Sequence, residues 1–226
     1  MTSRSFVPVL DGGDTRLAAL ARLTARIAAC QDQEGVLDAI AAGVVEELSV
    51  ALVRIWLHDP SDDVLRLRAE VGATGDRSGV LRTLSMRDTA APVVQAVARH
   101  EAVVLDEIDV DGGFDDPDQL RREGLRASAA FPLTVGDRAV GAIVAFLRTA
   151  WPPDLLAALG ALAPQAALAL EHARLRDEAH TFQRIAADLA SAHDTSRFLE
   201  GLVQRVMAVQ GADACAVWML DEDGHL

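Results

Sequence analysis

The chain has 226 residues, half of them hydrophobic, enough to bury a sizeable core in one large or two small domains. Its net charge is −13 and its 21 basic residues are all arginine, with no lysine, which argues against a general nucleic-acid or anionic-membrane surface. Cys30 and Cys215 stand isolated, so neither a disulfide framework nor a zinc site is indicated, and a reducing cytoplasm is the expected compartment.

The opening MTSRSFVPVLDGGD lacks an apolar segment ahead of a small-residue cleavage site, so no signal peptide is expected and residues 1–14 read as a loose leader. From Thr15, apolar residues at Leu17, Leu20, Leu23 and Ile27, then at Val36, Leu37, Ile40, Val44, Val45 and Leu48, follow helical spacing in two segments broken near Asp32 to Gly35. Val50 to His58 is apolar at nearly every position and predicts a strand covered on both faces. After a turn at Asp59 to Asp63, Val64 to Glu70 alternates. Leu65, Leu67 and Ala69 fall on one side and Arg66, Arg68 and Glu70 on the other, the pattern of an edge strand with one wet face.

Val71 to Met86 reads as loop, with room for a short strand at Val80 to Met86. Thr89 is expected to cap a helix that runs through His100 and carries Val93, Val94 and Val97. A short strand at Ala102 to Leu105, an acidic loop at Asp109 to Asp118 and a short helix from Pro117 to Glu123, ended by Gly124, follow. Ala127 to Val135 and Arg138 to Leu147 make a hairpin about Gly136-Asp137. Both strands are apolar on both parities, which places the hairpin at the centre of the sheet.

Pro153 to His193 reads as one long helix. Leu168, Leu175, Phe182 and Leu189 recur every seven residues, with Ala179 and Ala186 four places after two of them, a narrow apolar stripe of coiled-coil type. The stripe calls for a partner helix, and the alternative is a connector packed on its own domain. Pro164 is expected to kink or split the helix. The longest uncharged run, Leu155 to Leu170, falls short of the roughly 20 residues a spanning helix needs and contains Gly160, Pro164 and Gln165, so no membrane insertion is expected.

Leu189 to Asp221 realigns on Ile27 to Asp59 without a gap, at an offset of 162 residues (189 − 27). Leu37 meets Leu199, Val44 meets Val206, Asp32 meets Asp194, and Trp56 meets Trp218 in a chain with three tryptophans. So long a period indicates tandem whole domains rather than a solenoid. Residues 15–178 are read as one complete domain and residues 179–226 as the start of a second. The second copy's first strand is expected at Ala214 to Leu220.

The order of elements, together with Leu23-Thr24-Ala25-Arg26-Ile27-Ala28, Arg54-Ile55-Trp56-Leu57 before an Asp-Pro turn, Arg121-Arg122-Glu123-Gly124-Leu125 ahead of Phe131-Pro132-Leu133, and Val140-Gly141-Ala142-Ile143-Val144, resembles the GAF domains of bacterial sensor histidine kinases and related signalling proteins. The resemblance implies an α+β, PAS-like fold: a central antiparallel sheet with helices on both faces and a long C-terminal linker helix. It implies dimerisation through the first, second and last helices, and a pocket on the other face roofed by Asp106 to Arg126. It further implies that the opening half of the long helix closes one domain and its second half begins the next, with the seam near Arg176 to Thr181.

Family chemistries can be checked against the residue inventory. Cyclic-nucleotide modules carry an Asn-Lys…Phe…Asp-Glu motif, which a chain without lysine cannot contain. Bilin binders need a thioether cysteine, haem binders a pocket histidine, and methionine-sulfoxide reductases of this fold core cysteines. No cysteine lies between Cys30 and Cys215 and no histidine between His100 and His172, so these ligands and that activity are disfavoured and no cofactor is expected. The carboxylates Asp109, Asp111, Asp115, Asp116 and Asp118 lack the final ligand of a calcium loop, since position 120 is leucine. His172 and His180, with Glu171 and Glu178, read as exposed helix residues rather than metal ligands.

No catalytic signature is present, and an enzyme is not expected. The pocket candidates are Phe114, Leu120, Leu125 and Arg126 in the roof with Ser128 and Ala130 beneath, apolar lining with few polar groups. The dimer and signalling candidates are Leu168, Leu175, Phe182 and Leu189. The resulting expectation is a cytoplasmic sensory or dimerisation module, homodimeric through its helices, with a small-molecule ligand of unknown identity and no nucleic-acid partner. The alternatives are a ligand-free dimerisation scaffold and a small redox enzyme of the same fold.

Overall fold

The computed structural model describes residues 12–72, 82–108, 113–114, 117–191, 195–210 and 214–217; the side chains of 12–15, 188–191, 195–198 and 210 lie outside that description. Two helices come first, α1 (Gly12–Ala29) and α2 (Gln33–Leu48). Residues 12–14, expected in a loose leader, are already helical. The break between the helices is set by Asp32, whose side chain accepts a 2.7 Å hydrogen bond from the Gly35 N–H and so satisfies an orphan donor of α2.

The chain then lays down β1 (Leu52–Asp59), β2 (Val64–Gly72), β3 (Thr83–Ser85), α3 (Pro92–Arg99), β4 (Val103–Leu105), α4 (Pro117–Arg122), β5 (Ala127–Val135), β6 (Arg138–Leu147) and α5 (Pro153–Ser191). The strands form a six-stranded sheet in the order β3-β2-β1-β6-β5-β4, antiparallel at every pairing. Its central pair is β1 with β6, so the β5–β6 hairpin is one strand off centre. β2 is not the outermost strand either, because β3 pairs with its first three residues.

A bulge corrects the simple alternation read along β2. Ile55 pairs with Ala69 but Trp56 pairs with Leu67, leaving Arg68 as the extra residue. Leu65 and Leu67 therefore pack on the α3 side, whereas Ala69 and Val71 pack on the other face.

The sheet is covered on both sides, which is why β1, β5 and β6 are apolar on both parities. Val53, Ile55, Phe131, Leu133, Ile143 and Leu147 pack against α1, α2 and α5. Leu52, Trp56, Leu65, Val144 and Phe146 pack against α3 and α4. The helix expected to be capped by Thr89 begins instead at Pro92, behind Ala91 in extended conformation (φ −69°, ψ 125°). Proline suits the first helical position and disfavours a helical residue before it, so the start is pinned two residues later, with Ala91 rather than Thr89 (91 − 89) at the capping position.

Helix α5 runs through Pro164 without splitting. Gly160 and Pro164 both face solvent, so water can satisfy the carbonyl that the missing proline N–H leaves unpaired. By length and composition Pro153–Ala187 is apolar enough to cross a membrane, one 18-residue window of it having mean hydropathy 1.4. Its apolar residues Leu155, Leu159, Leu162, Ala166 and Leu170 instead fill the core beneath the sheet, as in a buried helix of a globular domain.

Glu171 fastens α5 to β6, accepting hydrogen bonds from Arg174 (2.9 and 3.0 Å) and from Arg138 (2.7 Å). These bonds, Arg174 first, hold its carboxyl below the usual range against the opposing effect of desolvation. A carboxyl lowered by folding contributes stability above its unfolded pKa, about 4.3, and loses it as pH falls through the folded value. In urea melts at a series of pH values, the stability gap between the parent and Glu171→Gln is expected to be constant near neutrality and to close in the acid range. A gap unchanged at the lowest pH would show that the charge is not what the site uses.

The chain divides into two units, Met1–Arg174 and Leu175–Leu226. The second contains the end of α5 and α6 (Thr195–Gln210). The bounds of α6 fall 162 residues after those of α2 (195 − 33 and 210 − 48), and α5 ends 162 residues after α1 (191 − 29). The strand expected at Ala214 to Leu220 is not seen in its described part: residues 214–217 have no regular structure, and no partner strand lies in the described part of that unit. Trp218 lies outside the described residues.

Candidate functional site

Where β1 and β6 face α3 they leave a cavity of about 30 Å³, room for about one water molecule. Arg54 and Trp56 on β1 and Val144 and Phe146 on β6 line it from the sheet, because every second residue of a strand shares a face. Leu84, the start of α3 (Ala91, Pro92, Val93), and Gly113 with Phe114 complete the lining. Gly113 is required there: at φ +69° a side chain is disfavoured, and a Cβ would lie 2.1 Å from the Ala90 carbonyl oxygen. The Phe114 ring lies 6.0 Å from that of Phe146, inclined at 56°.

Arg54 is the buried charge of this cavity, 8% exposed. Its Nε donates a 2.6 Å hydrogen bond to Glu70 Oε2 on β2, and its guanidinium lies 5.6 Å from the centre of the Phe146 ring. A second, open groove of about 650 Å³ lies at the end of the sheet, lined by Asp106, Glu107, Ile108, Arg121, Gly124, Leu125, Arg126 and Ala150.

The six residues expected to line one pocket are distributed among these places. Phe114 lines the cavity beside Arg54, while Leu125 and Arg126 line the groove at the end of the sheet. Leu120, Ser128 and Ala130 are buried but line neither. Leu120 and Leu125 anchor the short helix α4 into the core, and Arg126 is exposed, its backbone spent on bonds to Leu147 and Ile108. On α5, Leu168 and Leu175 are each 48% exposed and Phe182 71%, away from the residues that fill the core. The side chain of Leu189 lies outside the described residues.

Sequence reasoning missed Arg54 and the sheet residues beside it. The usable signal was a lone charge inside the otherwise apolar run Val50 to His58. Cys30 donates to the Arg26 and Gly35 carbonyls at 3.3 Å and packs on the α1–α2 side, across the sheet from the cavity. Among the described residues no group of three or more His, Cys, Asp or Glu is placed to hold a metal. Asp109, Asp111, Asp115 and Asp116 lie outside them.

The family model described as GAF domain matches residues 32–170, more than half of the chain. The chain belongs to the GAF domain family. Solved structures agree on the fold. The GAF domain of a phosphoenolpyruvate-protein phosphotransferase from Coxiella burnetii is similar at TM-score 0.64 and 18% identity, over 74% of this chain and 99% of that one. A free methionine-R-sulfoxide reductase from Neisseria meningitidis, solved with its substrate, is similar at TM-score 0.61 and 20% identity, over 77% and 99%. A fragment of a methyl-accepting chemotaxis protein is similar at TM-score 0.56 and 21% identity, over 68% and 97%. At these identities the likeness concerns the GAF fold alone. No curated protein sequence matches significantly.

Proposed function

We propose that this GAF domain is a cytoplasmic, non-enzymatic sensory and dimerisation module of a bacterial signal-transduction protein. Occupancy of the Arg54 cavity, or packing of the dimer, biases α5 and through it a distal output. The observation that carries the reading is the two-sided use of α5: one face closes the core under the strands that line the cavity, and the other exposes Leu168, Leu175 and Phe182 at seven-residue spacing. Such a stripe is the seam of a two-stranded coil, and a second copy of this chain supplies the matching stripe. A relay also needs two arrangements of the helix with different affinity for the occupant.

The matching bounds of α2 and α6 support reading residues 179–226 as the beginning of a second GAF domain.

Sedimentation equilibrium tests the dimer. The parent is expected to dimerise, and Leu175→Asp to weaken association by roughly tenfold or more, because a carboxylate would be buried unpaired in the seam. A parent that stays monomeric at every concentration, or a variant that associates as the parent does, overturns the dimer. The small cavity favours a second reading, a ligand-free scaffold in which only the helical face works. A thermal-shift screen separates the two, since a ligand adds RT ln(1 + [L]/Kd) to stability and a scaffold gains nothing.

A further inference from the structure

The strongest unassigned chemistry is the electrostatics of the cavity wall. We propose that this cavity takes a small monocarboxylate, held between the Arg54 guanidinium and the N-terminus of α3, with its short apolar remainder against Trp56, Val144 and Phe146. The proposal rests on the sensory reading of the same cavity and names the chemistry of its occupant.

Two independent features point the same way. Arg54 is 8% exposed and lines the cavity; its Nε is held by Glu70 and its guanidinium packs against the Phe146 ring, while neither Nη is hydrogen-bonded to a described residue. Facing the same space is the start of α3, where no side chain caps the helix. Its position before the helix is held by Ala91, which has no acceptor, and the Gln95 amide is spent on the Thr89 and Ala90 carbonyls. The N–H groups of Val93 and Val94 therefore remain as first-turn donors at the positive end of the helix. A buried guanidinium fork and an uncapped helix N-terminus around one cavity form an anion site.

The remaining lining selects the anion. Glu70 already neutralises Arg54, so a dianion such as phosphate or sulfate would bring excess negative charge beside a carboxylate, whereas a monoanion brings half as much. The walls contributed by Trp56, Leu84, Val144 and Phe146 are apolar and suit a short hydrocarbon tail. Any carboxylate, its head included, requires the Phe114 side chain to swing away from Phe146, because the cavity of about 30 Å³ has room for about one water molecule as it stands.

The test is a titration of the full chain with sodium acetate, propionate, butyrate and valerate at fixed ionic strength, with chloride and sulfate as anion controls and butyramide as a neutral isostere. Thermal midpoint and amide chemical shifts are the readouts. At least one carboxylate is expected to raise the midpoint in a saturable way, above matched chloride, sulfate and butyramide, and to shift the amides of Val93 and Val94. The double variant Arg54→Gln/Glu70→Gln, which removes both charges of the pair, is expected to lose at least about tenfold in affinity. Ala91→Asp, which tethers a carboxylate at the same helix end, is expected to lose binding with the helix intact.

Equal stabilisation by sulfate, no effect of any carboxylate, or parent-like binding by the double variant overturns the carboxylate assignment. Stabilisation by butyramide but not butyrate overturns it too, while leaving a sensory cavity standing. Carboxylate binding that depends on Arg54 but changes neither the dimer nor exchange along α5 upholds the assignment and removes the relay.

Discussion

Replacing Glu70 by alanine is expected to cost about 3–5 kcal/mol of unfolding free energy, because it strands the Arg54 guanidinium in the core without its counter-ion. The two side chains are each 10% exposed and joined at 2.6 Å across β1 and β2, where Arg54 and Glu70 are direct cross-strand partners. The Phe146 ring beneath Arg54 cannot stand in for a carboxylate, since a cation–π contact is worth about 2 kcal/mol even when desolvated. Removing both charges at once, as Arg54→Met/Glu70→Leu, is expected to return to within about 1 kcal/mol of the parent or to exceed it, because neither desolvation penalty remains. Urea unfolding of the parent, single and double variants decides the matter. A single variant as stable as the parent would mean that the pair is solvated rather than buried.

Gly141→Ala is expected to destabilise by about 3 kcal/mol or more, at or above the top of the usual range for overpacking. A Cβ at Gly141 would lie 2.0 Å from the Trp56 carbonyl oxygen and 3.0 Å from the Leu57 Cα. These are backbone atoms of the neighbouring central strand, so no rotamer change relieves the clash, and the β1–β6 pairing itself must open. Trp56 also lines the cavity, so whatever remains folded is expected to bind less well. Gly160→Ala provides the contrast. Its nearest neighbour would be the tip of Phe131 at 4.0 Å on an exposed helix position, and a gain of about 0.5–1 kcal/mol is expected. Thermal unfolding of both variants reads the difference, and equal behaviour would contradict the packing described for β1 and β6.

Burial was legible in the sequence wherever one rule acts alone. Strands apolar on both parities announced a sheet covered on both faces, and the long helix emerged with its seven-residue stripe exposed at Leu168, Leu175 and Phe182. The misreadings occur where two rules compete. Strict alternation put Leu65 and Ala69 on one face, but the bulge at Arg68 reverses the parity midway along β2. Thr89 is a good capping residue, yet Pro92 sets where the helix begins.

The candidate site was less legible, for a related reason. Composition and period show that Phe114, Leu120 and Leu125 belong inside, but not which cavity each one faces. That depends on how β1 and β6 come together across a long stretch of intervening chain, as the Leu52–Phe146 and Trp56–Ala142 pairings do. Arg54 belongs to a family-like motif, while its burial beside Glu70 follows only from strand register.

Hydrogen exchange on the full chain tests the central claim, that occupancy of the Arg54 cavity is felt along α5, most directly. Exchange is compared with and without the carboxylate of the acetate-to-valerate series that raises the thermal midpoint most. Slower exchange in β1 and the first turn of α3, accompanied by changed exchange across residues 168–185 of α5, is the predicted result. Slowing confined to the cavity, with α5 exchanging as it does in the free protein, would contradict it.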